Sequence, residues 1–138
     1  MSGDQLADQV WRSMSTLVLD NKDAWRRSVV DRTGLPFSRI RILIRLSRRP
    51  MTVKQVAEAA TIDAPAATVA VNDLEARGLV VREVDPENRR CKLVSLTDEG
   101  RKLVAVLDEV EDPAPGVLAG LGEPELQVLQ TILARLTQ

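Results

Sequence analysis

The groups in this 138-residue chain best placed to do chemistry are a hydroxyl, an amide and a set of guanidinium groups. Thr68 and Asn72 stand four residues apart in a stretch of helical periodicity, so both lie on one face. At that spacing they can reach neighbouring base edges: asparagine pairs with adenine, and threonine contacts a thymine methyl. Arg89, Arg90 and Lys92 follow directly on Asp85-Pro86-Glu87-Asn88, a turn signal. Two adjacent arginines at a hairpin tip suit a narrow, A·T-rich minor groove, where the potential is most negative. These groups bind rather than catalyse. The chain has no histidine and no tyrosine, which removes the commonest general base and the commonest metal ligand. It shows no glycine-rich phosphate loop, no metal-ligand spacing and no nucleophile–base pattern. The expectation is a non-enzyme with no cofactor and no metal.

A net charge of −1 argues against a nucleic-acid partner only until its distribution is read. From Arg26 to Lys54 there are nine basic residues and a single acid, Asp31. From Asp98 to Glu125 there are eight acids against Arg101 and Lys102. One part can face phosphate while the other faces solvent. Candidate phosphate contacts are Arg39, Arg48, Arg49 and Lys54 ahead of the Thr68–Asn72 face, and Arg77 and Arg82 behind it. The lone Cys91 rules out an internal disulfide and fits a reducing compartment. Its basic neighbours Arg89, Arg90 and Lys92 leave a redox-responsive regulator as an alternative. No apolar run approaches the ~20 residues of a membrane span. MSGDQLADQV lacks a signal pattern, so the expected location is the cytoplasm, with no membrane partner.

The elements that must position these groups follow from periodicity and punctuation. Leu6, Val10, Met14, Leu17 and Val18 predict a helix from Asp4 to about Val30. Thr33-Gly34-Leu35-Pro36 stops it. Ile40, Leu43, Ile44 and Leu46 mark a second helix, begun near Pro36–Ser38 and closed by Arg48-Arg49-Pro50. Thr52 with Gln55 forms a capping box for a helix over Val53–Ala60. After a break at Thr61-Ile62-Asp63, Asp63 caps a helix reaching about Arg77, with Gly78 as its stop. That helix buries Ala67, Ala70, Val71 and Leu74 and turns Pro65, Ala66, Thr68, Val69, Asn72 and Asp73 outward. Leu79–Val84 and Lys92–Leu96 read as a hairpin. Thr97 caps a further helix, interrupted at Asp112–Gly116. A short piece over Val117–Leu121 and a last helix opened by Gly122-Glu123-Pro124 complete the chain. The predicted class is mainly α with a small β-hairpin wing: a winged helix-turn-helix within a helical dimerisation frame. Residues 1–138 read as a single domain. Its DNA-binding lobe covers 36–97, and a helical dimerisation region covers 1–30 and 98–138.

In such a motif the second helix enters the major groove and the first braces it. No arginine or lysine falls between Thr61 and Ala76, although arginine to guanine is the commonest specific contact. The arginines at its borders and on the wing are therefore expected to supply most of the affinity.

Three stretches carry a resemblance: MTVKQVAEAA, then AATVAVNDLEARGLVVR, then DPENRRCKLVSLTDEG. Together they resemble the MarR family of bacterial transcription regulators, and with the flanking helices the likeness covers nearly the whole chain. It implies a homodimer whose first and last helices pair two subunits. Each subunit would offer a recognition helix and a wing to half of a pseudo-palindromic operator on double-stranded DNA. It also implies a repressor released by a small aromatic or phenolic effector held between the dimer helices and the DNA-binding lobe. Arg90 matches the wing arginine of the family's D-x-R pattern. Asn88 stands where that pattern has the aspartate that helps hold the arginine, which implies a looser wing tip. Val69 stands where many relatives carry arginine.

The apolar stripes of the first and last helices lie outside the central motif and independently suit two-fold pairing. Trp11, Met14, Trp25 and Phe37 are the large adaptable apolar groups near the lobe junction, candidates for an effector pocket as well as for core. A phenolic ligand would have to draw on serine, threonine, arginine or backbone partners. The competing reading is a winged-helix protein–protein interaction module with weak or no DNA binding, which the net charge and Val69 favour.

Overall fold

The computed structural model describes residues 1–137. The element order is α1 (Gly3–Asn21), α2 (Asp23–Thr33), α3 (Phe37–Leu46), α4 (Val53–Ala60) and α5 (Ala64–Ala76). There follow β1 (Val80–Val84), β2 (Lys92–Leu96), α6 (Asp98–Glu109), α7 (Gly116–Ala119) and α8 (Glu123–Leu136). This is the mainly helical class with a hairpin wing that the sequence predicts.

The first predicted helix is in fact two. It breaks at Lys22, whose Nζ pairs with Asp112 and lies 4.4 Å over the Trp25 ring. A lysine drawn sideways to two partners holds the chain at a corner that local propensity does not announce. The second piece also runs further than predicted, to Thr33. There Gly34 adopts φ 70° and returns its N–H to Val30 O, a left-handed cap that glycine takes without a Cβ penalty. The next helix ends at Leu46, ahead of the predicted Arg48-Arg49-Pro50, because the Ser47 hydroxyl turns back to Ile44 O. The short penultimate helix begins one residue early and stops at Ala119.

The helix-turn-helix forms as its caps dictate. Thr52 Oγ1 accepts from Gln55 N at 3.1 Å, and Gln55 Oε1 accepts from Thr52 N at 2.9 Å. Thr61 closes α4 at φ 55°, and Asp63 Oδ1 then accepts from Ala66 N at 2.7 Å to open α5. Ala57 and Ala60 of α4, with Ala67 and Ala70 of α5, are buried where the two helices sit in the core. Around them Val29, Ile40, Ile42, Leu43, Val71, Leu74 and Val94 are almost fully enclosed.

The hairpin is antiparallel, with Val80 opposite Leu96 and Val84 opposite Lys92. A further bridge ties it to the helices: Met51 N donates to Val94 O at 3.0 Å, and Val94 N to Met51 O at 2.7 Å. The wing is thereby fastened to the residue just before the Thr52 cap. At the root of the hairpin α6 packs against β2, and Thr97 N donates to Leu79 O at 3.1 Å.

The arms behave differently. Neither α1 nor α8 contains a buried residue. Leu6, Val10, Trp11, Val18 and Leu19 on α1, and Val128, Ile132 and Leu136 on α8, are all exposed. Among the described residues no helix is long and apolar enough to cross a membrane.

Candidate nucleic-acid interface

The outward face of α5 follows from its inward one. With Ala67, Ala70, Val71 and Leu74 buried, Pro65, Ala66, Thr68, Val69 and Asn72 are left exposed, as predicted. Pro65 lies in the first turn, where its missing N–H costs nothing. Val69 is 61% exposed, an apolar side chain in the middle of a solvent-facing row. Thr68 Oγ1 donates to Ala64 O at 3.0 Å, so its oxygen faces out as an acceptor. Asn72 Oδ1 accepts from Arg82 Nη2.

The candidate cations divide into two groups. Arg39, Arg77 and Arg82 turn onto α5 itself. Arg39 Nε and Arg77 Nε grip the two oxygens of Asp73 at 3.0 and 3.1 Å. Arg82 Nε lies 3.6 Å from Glu75 Oε2, too long for a hydrogen bond. With side chains 22% and 23% exposed, Arg39 and Arg82 are braces of the helix before they are anything else. Arg48, Arg49 and Lys54, by contrast, are exposed and have no ion-pair partner among the described residues. The same holds for Arg89, Arg90 and Lys92 on the wing. Sequence reading did not separate these groups. It also missed Asp73 as a hub, although an acid four residues before Arg77 on one helix was a visible signal.

The wing tip is built by its own backbone. Asp85 N donates to Cys91 O at 3.0 Å, and Cys91 N to Asn88 O at 2.9 Å. Asp85 Oδ1 accepts from Glu87 N at 2.9 Å, and Asn88 Oδ1 accepts from Arg90 N at 3.2 Å. Asn88 thus holds the main chain of Arg90, not its guanidinium, and its Nδ2 donates to Cys91 Sγ at 3.5 Å. These bonds close the tip and leave both arginine side chains projecting. Cys91 is half-buried and free.

The apolar candidates separate likewise. Trp25 and Phe37 meet edge to face, ring centroids 5.9 Å apart, with the Arg26 guanidinium 5.0 Å over Phe37. Met14 is half-buried, while Trp11 is 69% exposed on α1. Two clefts lie on the arm side. One, of about 710 Å³, runs along α1 past Gln9, Arg12, Ser13 and Asp20 to Val117. The other, of about 230 Å³, sits at the Lys22 corner against Pro113, Pro115 and Leu118.

Residues 33–90 match the MarR family. Over 106 residues the chain is 32% identical to an uncharacterized HTH-type transcriptional regulator, YdgJ, of Bacillus subtilis (strain 168). The match takes in 75% of this chain and 65% of that protein, so the chain spans about two-thirds of its curated relative's length. The fold is similar to that of the transcriptional regulator BldR from Sulfolobus solfataricus. The TM-score is 0.65 at 25% identity, over 98% of this chain and 99% of that one. It is also similar to CouR from Rhodococcus jostii RHA1 bound to p-coumaroyl-CoA. There the TM-score is 0.62 at 26% identity, over 94% and 90% of the two chains.

Proposed function

We propose that the chain is a MarR-family protein, as its matched segment and its fold support, and that it is a homodimeric, DNA-binding repressor of transcription. It is a regulator, not an enzyme. In this reading α5 enters the major groove with Pro65, Ala66, Thr68, Val69 and Asn72 leading, and the wing arginines track the neighbouring minor groove. The observation that carries it is the pairing pattern of the cations. The arginines nearest α5 hold its side chains, whereas Arg48, Arg49, Lys54, Arg89, Arg90 and Lys92 have no ion-pair partner among the described residues and are open to phosphate.

The arms support the dimer reading. Two helices with no buried residue and rows of exposed leucine, valine and isoleucine suit a second copy related by a two-fold axis. Two-fold pairing would set two recognition helices against a pseudo-palindromic operator. CouR was solved with p-coumaroyl-CoA bound. Here we propose an aromatic effector held near the Lys22 corner, where the arm meets the Trp25–Phe37 pair.

The test is binding to a random duplex pool across a salt series. Neutralised phosphates release counterions, so log K should fall linearly with log salt. Absence of salt-sensitive binding at low ionic strength would sink the DNA reading and leave a protein–protein module.

A further inference from the structure

Asn72 is the only side-chain amide on the exposed row of α5, and it is not free to choose how it meets a base. Its Oδ1 takes a hydrogen bond from Arg82 Nη2. A guanidinium carries donors only, so the amide cannot turn over without setting N–H against N–H. Arg82 is itself anchored. It stands on β1 opposite Val94, its side chain is mostly covered, and its buried Nε is held beside Glu75. Asn72 therefore presents its two N–H donors outward, with its oxygen turned toward a cation.

Resting on the DNA-binding reading above, we infer that Arg82 locks Asn72 as a donor and so sets it to read guanine rather than adenine. An unconstrained asparagine pairs with adenine by donating to N7 and accepting from the N6 amino group. Here one lone pair of Oδ1 is occupied. The other lies beside the guanidinium, where an approaching base N–H is repelled. Guanine offers two acceptors, N7 and O6, to the two amide hydrogens, and the adjacent positive charge favours the same edge. Thymine offers one acceptor beside its methyl. Cytosine offers a donor and is rejected. Arg82 is a positioning residue in this scheme; Asn72 makes the contact.

The experiment is selection of bound duplexes from a random pool, with the 138-residue protein and three variants. The wild type should select guanine at one position in each half-site, with a preference over adenine of about tenfold. Asn72→Ala should flatten that position alone. Arg82→Met, which keeps the stem but removes the donors, should move the preference toward adenine. Should Arg82→Met not fold, Asn72→Asp carries the test. One carboxylate oxygen keeps Arg82 and the other faces outward as an acceptor, so the preference should pass to cytosine. Adenine at the Asn72-dependent position in the wild type would overturn the inference. So would a preference unmoved by Asn72→Asp, or no position that responds to Asn72→Ala; in each case DNA binding itself stands. No salt-sensitive binding of any duplex removes both readings together.

Discussion

Arg39 Nε donates to Asp73 Oδ2 at 3.0 Å, and this contact fastens α3 to the C-terminal half of α5. Arg77 Nε takes the other carboxylate oxygen at 3.1 Å. The Arg39 grip ties α5 to α3, whereas the Arg77 bond runs within α5 and its C-cap and holds the carboxylate in position for Arg39.

The clamp has a pH signature. The hydrogen bonds from Arg39 and then Arg77 hold the Asp73 carboxyl below its ordinary 3.8. A carboxylate whose folded value is depressed adds stability that is fully present above its unfolded value. That contribution is lost as pH falls through the folded one. Asp73→Asn should therefore lower the melting temperature at pH 7, modestly, since the group is solvent-accessible and screened. The gap from the parent protein should stay level down to about pH 5 and narrow below 3.8. Thermal melts across that range measure it; identical melting temperatures at pH 7 would remove the clamp as a source of stability.

Gly100 is a second fixed point. A Cβ there would sit 2.1 Å from Leu79 O and 3.3 Å from Leu96 Cδ2, so α6 can approach the root of the hairpin only without a side chain. The same junction carries the Thr97 cap, whose Oγ1 donates to Gly78 O at 2.6 Å and accepts from Gly100 N at 3.1 Å. Because the obstructing atom is backbone, Gly100→Ala should cost about 1–3 kcal/mol. Urea denaturation should show a lower midpoint with an unchanged slope.

The caps at Thr52, Asp63, Thr97 and Gly78 are local: each depends on residues within three or four positions, and each forms as the sequence implies. The α5 row was legible for the same reason, since a buried face of alanine, valine and leucine fixes its opposite. The break at Lys22 was not, because its partner Asp112 is 90 positions away. Nor was the division of the arginines. Arg39 looks as free as Arg48 along the chain, and only the fold brings it to Asp73, 34 positions on. Asn88 was legible only in part. An amide in place of an aspartate suggests a weakened grip on the Arg90 guanidinium, whereas here it bonds that residue's N–H.

The wing arginines should announce themselves in the salt dependence. Removing one phosphate-bound cation reduces the slope of log K against log salt by about 0.9. Arg90→Ala should weaken binding, flatten the slope by about that amount and leave the dimer intact, because its side chain projects from a tip closed by backbone bonds. Titrations at several salt concentrations decide it. An unchanged slope would take Arg90 away from the phosphates.

The arms provide the last test. Val128 and Ile132 stand four residues apart on α8 and are 60% and 47% exposed, so one face of that helix presents both. In a lone subunit, glutamates at these two positions would meet water and change little. In a dimer built on α1 and α8 they would place like charges from both copies in an apolar seam, where burying an unpaired carboxylate is costly. Val128→Glu with Ile132→Glu should therefore convert the protein from dimer to monomer, read by sedimentation velocity. The core around Ile40, Val71 and Val94 lies elsewhere, so far-UV circular dichroism should barely move. Operator affinity should fall steeply, since one recognition helix cannot span two half-sites. A double variant that sediments as a dimer would show that α8 is not the seam.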